Sequence, residues 1–354
     1  MKETFVFSVL AAALVLTGAG CISFSSSSTT GADGAIWKTQ DSGASWDQLT
    51  TLPQASGVTS IGGVNIADLE IDPTDTSTYY LGTYGNGLFY STNVGNSWAR
   101  PAAASVGSGT ILKIEVDPRD VCTLYLLTPS EVLKTTDCLR SVNSIYQIGQ
   151  SDETLTAMVL DWYNSDILWV GDTTGALYQS LNAGGAWSAI SRFGRGVTAI
   201  LVNNRDSRII LAGTNGNSLF RSIDAGATWT EYEDTLKKQY RDTDDVYGFT
   251  QTADGTSIIM NSKYGLLLSE DFGENWTSIP LLTENRDVKI WAVAYDPESS
   301  LNIYYLTATT FYATTTAGIS WETEDSPSSR TPTEIVVHPK DDSVIYAGFA
   351  AFSD

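Results

Sequence analysis

The sequence predicts an all-β protein, a seven-bladed β-propeller with four-stranded blades, and three observations lead to that prediction. An eight-residue pattern recurs seven times along the chain. An apolar strand ending near Asp-Pro recurs in phase with it. The array also starts with one half of a unit and ends with the other half. Four short strands in each unit of about 45 residues is the period of a propeller blade.

The first repeat is a box with the form Ser/Thr, any, Asp/Asn, any, Gly, any, any, Trp. Its cleanest copies lie at 222–229 and 269–276, and the copy at 135–142 has lost both the Gly and the Trp. The third positions, 42 to 52 residues apart, are Asp41, Asn93, Asp137, Asn182, Asp224, Asp271 and Thr316. The Trp residues that end six boxes are Trp46, Trp98, Trp187, Trp229, Trp276 and Trp321.

Each unit is interpreted as four strands, A to D. Strand A precedes the Asp-Pro turn, B follows it, C leads into the box, and D starts at the box Trp. In the first complete unit these strands are expected at about 66–72, 78–83, 87–92 and 97–100. The chain opens with a C–D pair at 35–49 and ends with an A–B pair at 333–350. We expect these pairs to form one closing blade, which removes an open sheet edge.

The polar box residues are expected to hold their own turn together. An Asp or Asn side chain, and the hydroxyl at the first position, can bond backbone N–H groups of the same turn. The Gly suits a positive φ, and the Trp packs on the blade. Because a catalytic acid would not be needed seven times, we assign Asp41, Asp224 and Asp271 to structure.

The repeated box resembles that of the Asp-box (bacterial neuraminidase repeat) β-propellers over about residues 34–350. That group includes sialidases, xyloglucan-cleaving glycosidases, sortilin-type receptors, and photosystem II stability and assembly factors, so the resemblance implies a fold and not one activity. The chain lacks the Arg-Ile-Pro string typical of sialidases and has one propeller where the xyloglucan enzymes resemble two in tandem. In size, blade number and anchoring it is most similar to the photosystem assembly factors and their bacterial lipoprotein relatives.

Residues 1–21 are expected to be a signal peptide. Lys2 precedes an apolar run at 5–16, which is short for a membrane span of about 20 residues. Cys21, after Gly-Ala-Gly, resembles a bacterial lipoprotein cleavage site, which implies that it is lipidated; the alternative is ordinary signal cleavage nearby. Residues 22–34 are expected to be a flexible tether and 35–354 the propeller. The prediction is an exported lipoprotein at the cell envelope, held to the membrane by its lipid alone.

Composition excludes several classes of function. The chain has 20 basic and 41 acidic residues and a net charge of -21, which argues against nucleic-acid binding because phosphates require a basic footprint. The single His, His338, rules out a multi-His metal site, and it fills a slot that holds Asp in other A–B turns. No phosphate loop, metal-ligand cluster or activated nucleophile stands out, so no cofactor and no metal are expected.

Cys122 and Cys138 are expected to form a disulfide in the second complete blade. Counting outward from the B–C turn near residues 129–130 in antiparallel register places residue 122 opposite about 137. A disulfide can form in an exported protein, because the compartments outside the cytoplasm are oxidising. It would stabilise the blade whose box lost its Gly and Trp. The alternative is two buried free thiols.

Ligand-binding groups of propellers usually lie in the B–C and D–A loops at the ends of the central channel. The residues expected to face a ligand there are Tyr84, Asn86, Asp172, Arg192, Arg195, Asn215, Lys263 and Tyr264. The alternative is that these loops are only solvated turns. In so acidic a chain, the basic side chains here and in the long connection at 231–247 indicate a possible anionic contact.

The sequence is compatible with two functions. The first is a non-enzymatic scaffold or assembly factor that recognises a protein partner. The second is a glycoside hydrolase or glycan-binding propeller, and hydrolysis would need two carboxylates at a set separation. Candidates in suitable loops are Asp152, Glu153, Asp172, Asp244 and Glu284, and nothing in the sequence selects among them.

Overall fold

The computed structural model describes residues 33–149, 152–283 and 288–352. It is 48% strand and 3% helix, and its seven four-stranded blades form a β-propeller, which confirms the predicted fold class. Cys21, the signal peptide and nearly all of the tether lie outside the described residues, as does Glu284. Within the described part of the chain, no helix has the length and apolar character needed to cross a membrane.

Strands are numbered along the chain. It opens with β1 (Ala35–Thr39) and β2 (Asp47–Leu49), followed by a separate hairpin of β3 (Thr51–Gln54) and β4 (Gly57–Ser60). The first complete blade has β5 (Ile66–Ile71), β6 (Tyr79–Thr83) and β7 (Leu88–Ser91). Its fourth strand is reduced to one bridge between Tyr90 and Ala99, within the predicted range.

The remaining blades follow in order. The second has β8 (Lys113–Val116), β9 (Leu124–Leu127), β10 (Glu131–Thr135) and β11 (Asn143–Gln147). The third has β12 (Leu155–Leu160), β13 (Leu168–Asp172), β14 (Ala176–Ser180) and β15 (Ser188–Arg192). The fourth has β16 (Val197–Val202), β17 (Ile210–Thr214), β18 (Leu219–Ser222) and β19 (Thr230–Glu231).

The fifth blade has β20 (Val246–Gln251), β21 (Ile258–Ser262), β22 (Gly265–Ser269) and β23 (Thr277–Ser278). The sixth has β24 (Ala292–Asp296), β25 (Ser299–Leu306), β26 (Thr310–Thr314) and β27 (Glu322–Asp325). The chain ends with β28 (Thr331–His338) and β29 (Asp341–Ala350). The short helix α1 (Glu233–Gln239) and a 3-10 helix (Ala104–Val106) lie in connections between blades.

The closing blade joins the two ends of the described chain. Its strand order is β2-β1-β29-β28, so the N-terminal C–D pair and the C-terminal A–B pair meet as predicted. Asp33 fixes the junction, because its carboxylate accepts hydrogen bonds from the Ser329 N–H at 3.0 Å and the Ser329 hydroxyl at 2.7 Å. Both halves of the blade are therefore held at the same point of the ring.

The core is divided among the junctions between blades. The described residues form seven buried hydrophobic clusters, one at each junction. The cluster between the closing and first blades, for example, contains Ile36, Ile66, Tyr79 and Tyr346. Burial of apolar surface between blades therefore stabilises the ring as a whole and not each blade alone.

Every box folds into the same turn. In all seven copies the fifth-position N–H donates to the first-position hydroxyl, at 2.8 to 3.2 Å. The seventh-position N–H donates to the third-position oxygen, at 2.7 to 2.9 Å. Thr316 serves through its hydroxyl, so Asp, Asn and Thr fill one structural role.

The turn requires two consecutive residues with positive φ. The fourth position is never Gly, yet its φ lies between 52° and 63° in all seven boxes. The fifth position is Gly in six boxes and Leu139 in the second blade, where φ is 63°. Two backbone hydrogen bonds to polar side chains hold this conformation, which non-Gly residues otherwise avoid.

The box Trp residues connect neighbouring blades. Trp98, Trp187 and Trp321 donate their indole N–H to the carbonyl oxygens of Leu49, Ile145 and Pro280, each in the preceding blade or just after it. Trp229 and Trp276 donate within their own boxes, to Gly226 and Gly273. The Trp46 indole N–H has no partner among the described residues, and its ring packs edge-on against Phe311 of the sixth blade.

A disulfide joins Cys122 and Cys138, with their Cα atoms 4.1 Å apart. Cys138 occupies the fourth position of the degenerate box, and its N–H donates to the Cys122 carbonyl oxygen at 3.2 Å. Next to it, Leu139 is buried in the core between the first and second blades. The disulfide and this apolar side chain occupy the part of the turn where the usual Gly is missing.

Candidate functional site

The B–C tips and D–A loops lie together at one end of the ring, called here the loop face. The A–B and box turns occupy the opposite end, called the turn face. Of the residues predicted to face a ligand, Asn86, Arg192, Arg195, Asn215 and Lys263 are exposed on the loop face. The structure therefore brings basic and amide side chains of several blades to one surface.

The connection between the third and fourth blades holds Arg192 and Arg195 on a well-anchored loop. Between them, Phe193 is 5% exposed and stacks on Phe220, with ring centroids 4.4 Å apart. The Phe193 N–H donates to the Gly175 carbonyl oxygen at 2.8 Å, and its carbonyl oxygen accepts from the Asn217 side chain at 2.7 Å. The buried ring and these hydrogen bonds fix the backbone that carries both arginines.

Close backbone packing also sets the position of this loop. Gly175, at a φ of 86°, lies so near that a Cβ there would be 2.3 Å from the Arg195 carbonyl oxygen. Only Gly satisfies both the positive φ and this approach. The Arg195 side chain extends alongside Gly216 at the next B–C tip.

Both guanidinium groups remain available to a ligand. Arg192 donates from Nη1 to the Thr174 hydroxyl at 3.1 Å, which orients the group without neutralising it. Within the described residues, neither Arg192 nor Arg195 forms an ion pair. An arginine fork of this kind suits carboxylates and other planar anions.

Of the other predicted ligand-facing residues, Tyr84 and Tyr264 are half-buried and Asp172 is buried. Asp172 is fully buried, and its Oδ1 atom accepts from the N–H groups of Thr174 and Ala176. Tyr84 packs against Phe352, with centroids 5.5 Å apart, and the Tyr264 hydroxyl donates to Ser278 at 3.2 Å. We correct the expectation for Asp172 in particular, because a tight B–C tip leaves N–H groups that its carboxylate must satisfy.

Another part of the loop face carries two aromatic rings from adjacent blades. Lys289 places its Nζ atom 3.5 Å from the ring centroid of Trp291 and 5.2 Å from that of Tyr247. Burial lowers the pKa of the Lys289 ammonium. Nearby, Lys263 pairs with Asp245 at 3.7 Å, so its charge is partly compensated.

The predicted catalytic carboxylates lie in three separate connections of the described chain, except that Asp172 and Glu153 both act on Tyr146. Asp172 belongs to a turn, Asp152 and Glu153 lie before the third blade, and Asp244 lies before the fifth. His338 accepts the Lys340 N–H at its Nδ1 atom, as a turn residue would, and burial lowers its pKa. In the described chain, no group of three His, Cys, Asp or Glu side chains is placed to hold a metal ion.

The structure does bring together five charged residues that the sequence interpretation missed. They lie on the inner strands of the closing, first and second blades. This channel charge cluster consists of Asp68, Glu70, Lys113, Glu115 and Glu334. Its sequence signal was the alternation Asp-Leu-Glu and Lys-Ile-Glu within otherwise apolar A strands, since alternate residues of a strand share a face.

The cluster borders the central channel. A cavity of about 540 Å³ is lined by inner-strand residues of several blades and extends to the A–B turns at the turn face. Its charged lining consists of Glu70, Asp72, Lys113, Glu334 and Lys340. Apolar residues such as Phe249 and Val293 line other parts. The cavity is thus separate from the loop-face arginines.

Fold and site together define a seven-bladed β-propeller with a preorganised loop face. No family model and no curated protein matches the chain. The fold is instead similar to several solved propeller structures. One is the GH74 enzyme of Niastella koreensis, with a TM-score of 0.67 and 16% identity over 81% of this chain. This chain spans only 51% of that enzyme's length.

The chain is also similar in fold to YCF48, and this match covers nearly the full length of the YCF48 chain. YCF48 from Cyanidioschyzon merolae has a TM-score of 0.57 and 14% identity, covering 81% of this chain and 95% of that one. YCF48 bound to D1 peptide has a TM-score of 0.59 and 16% identity, with coverages of 82% and 94%. At these identities the likeness shows the fold alone.

Proposed function

We propose that this chain is a non-enzymatic binding scaffold that recognises an acidic segment of a protein partner through its loop face. The observation that carries the proposal is the rigid loop with two uncompensated arginines, Arg192 and Arg195. In a chain of net charge -21, such a local positive site is selective for an anionic partner segment. That YCF48 has been solved bound to a peptide shows that a propeller of this size can bind one.

The proposal places the protein at the cell envelope. Support comes from the sequence alone, since the apolar run and Cys21 lie outside the described residues. A lipid on Cys21 and the Ser/Thr/Gly tether would hold the propeller near the membrane and free to turn. A partner in or on the same membrane would then be met at high effective concentration.

The test compares proteins retained from source-cell membranes by the wild-type chain and by an Arg192→Glu/Arg195→Glu variant. Arg205→Glu is the matched control, because Arg205 is exposed on the turn face of the fourth blade, which directly follows the arginine loop. We expect wild type and control to retain one partner, with release at high salt because exposed charge contacts are screened. Equal retention by the double variant would refute the arginine site, and retention of nothing above background would refute the scaffold.

The second candidate is a propeller that binds or cleaves a glycan. The observation that favours it is the pair of rings at the loop face, Tyr247 and Trp291, because aromatic side chains often line ligand sites. The fold likeness to a GH74 enzyme is consistent with it. New reducing ends from xyloglucan, or polysaccharide binding lost in Trp291→Ala but kept in Trp162→Ala on the turn face, would support this candidate. If the protein neither released reducing ends nor bound polysaccharide through Trp291, this candidate would be refuted.

A further inference from the structure

The channel charge cluster spans the junction at which the ring closes. Asp68 and Glu70 lie on β5, Lys113 and Glu115 on β8, and Glu334 on β28. These three inner strands follow one another around the channel and pack together. The cluster therefore connects the last strand pair of the chain with the first and second blades.

One ion pair ties the first blade to the second. Lys113 Nζ lies 2.7 Å from Asp68 Oδ1, and the Ile114 N–H donates to Asp68 Oδ2 at 2.7 Å. Asp68 is 2% exposed, so its carboxylate is committed to these contacts. The single lysine must then balance Glu70, Glu115 and Glu334 as well.

Backbone irregularities aim two of these carboxylates. The register shifts just before Asp68 on β5 and just before Glu334 on β28. Such bulges re-aim side chains at strand ends and sites. Both acids thus reach the channel next to the same lysine.

Lys340 and Asp72 line the same cavity at its turn-face end. Lys113 is the cation that acts on the carboxylates of the cluster. β24 and β29, which pack against β28, carry their acids at the turn-face end, at Asp296, Asp341 and Asp342. β12, which packs against β8, has no charged residue. At the loop-face end, the titratable side chain near the cluster is Tyr84. Burial raises the pKa of its hydroxyl, and the charges of Glu334 and Asp68 raise it further.

We propose that the channel charge cluster is a pH-sensitive lock on ring closure. When Glu115 and Glu334 carry protons, the closing blade packs against the first blade, and the first against the second, around the Lys113–Asp68 pair. When those protons leave, the carboxylates of Glu115 and Glu334 join that of Asp68 around one ammonium, and repulsion loosens the contact between these blades. The remaining five junctions contain no such cluster in the described residues and are unaffected.

The sign of the effect follows from the shifted pKa values. Burial raises the pKa of Glu115 to about 7 and that of Glu334 to about 8, with Lys113 opposing and Asp68 reinforcing the shift. Burial also raises the pKa of Glu70. Because an unfolded Glu titrates near 4.3, the folded state holds extra protons, and this stabilisation is complete below about pH 4.5 and lost as pH rises through 7 to 8.

The test measures Tm from pH 5 to 9 for wild type, Glu334→Gln and Glu115→Gln. Glu324→Gln on the exposed strand β27 is the control for general loss of negative charge. We expect both channel variants to flatten the decline in Tm and to exceed wild type by at least about 3 °C at pH 8.5, whereas the control follows wild type. Curves parallel to wild type at every pH would overturn the proposal.

A second measurement needs no variant. Amide hydrogen exchange of the full chain, corrected for the intrinsic pH dependence, is compared at pH 6 and pH 8.5. We expect protection to fall at pH 8.5 in β5, β8 and β28 and to hold in β16 and β20. Uniform protection across these strands would contradict a lock at the closing junction. The inference does not depend on the proposed partner, because both measurements use the protein alone.

Discussion

Tyr79 of the first blade donates a hydrogen bond to the Tyr346 hydroxyl of the closing blade, at 3.0 Å between oxygens. The two rings meet edge to face, with centroids 5.0 Å apart. Both residues are at most 1% exposed. This pair links strands more than 260 residues apart and seals the ring on the side where the channel charge cluster also lies.

The two hydroxyls of this pair are expected to differ in importance. Tyr346→Phe would leave the buried Tyr79 hydroxyl without an acceptor, a cost of roughly 1 to 3 kcal/mol. Tyr79→Phe leaves Tyr346 able to donate to the Val94 carbonyl oxygen at 3.5 Å, so we expect a loss of about 1 kcal/mol. Urea unfolding of both variants measures the difference, and a larger loss in Tyr79→Phe would contradict this assignment.

The box carboxylate is expected to be replaceable by an amide but not by a methyl group. Asp224 accepts from the Thr228 N–H at 2.8 Å and the Thr228 hydroxyl at 2.6 Å. Asn93 already fills the equivalent place in the first blade, accepting the Ser97 N–H and donating to its hydroxyl. Asp224→Asn should keep the wild-type Tm closely, whereas Asp224→Ala should lower it by several degrees. If both variants melted alike, the third position would not hold the turn.

Acid should weaken the box turns. Hydrogen bonds from the Ser141 N–H and hydroxyl lower the pKa of Asp137 to about 2, and the pKa values of Asp41 and Asp224 are lowered by the same kinds of contact. An unfolded Asp titrates near 3.9, so this stabilisation is present above about pH 4 and is lost as pH falls towards 2.

This acid effect is measured as Tm between pH 5 and pH 2. A variant with Asp137→Asn and Asp224→Asn should lose less Tm over this range than wild type, because Asn does not titrate. An identical acid decline in the two proteins would show that other groups control it. The acid effect of the boxes and the alkaline effect of the channel charge cluster therefore act at opposite ends of the pH range.

Removing the disulfide should destabilise the second blade. The bond closes a loop with a sequence separation of 16, for which chain entropy gives about 3 kcal/mol. We expect Cys122→Ser/Cys138→Ser to lose about that much free energy of unfolding in urea. Reductant should lower the stability of wild type and leave the double variant unchanged; equal stability of the two under oxidising conditions would contradict this role.

The fold could be predicted from the sequence because its determinants are local and repeated. Each box carries its own hydrogen-bond donors and acceptors, and the complementary half-units at the two chain ends implied the closing blade. The channel charge cluster was missed because it depends on which face of each A strand turns inward. Glu334 also lies more than 200 residues from its neighbours in the cluster.

The loop face was predictable in part. Arg192, Arg195, Asn86, Asn215 and Lys263 are exposed there as expected. The sequence could not show that the Asp172 carboxylate accepts hydrogen bonds from the backbone of its own turn. A B–C loop whose Asp faces solvent and one whose Asp bonds the backbone have the same amino-acid composition. Nor did the sequence indicate that Phe193 is buried and fixes the arginine loop.

The most direct test of the central claim is site-specific photo-crosslinking in source cells. A photoreactive residue at Asn215, exposed on the loop face beside the arginine loop, is compared with one at Tyr163, which is 74% exposed on the turn face. We expect Asn215 to crosslink to one envelope protein, with the adduct lost when Arg192 and Arg195 are changed to Glu, and Tyr163 to give no such adduct. The same adduct from Tyr163, or none from Asn215, would contradict recognition of a partner by the loop face.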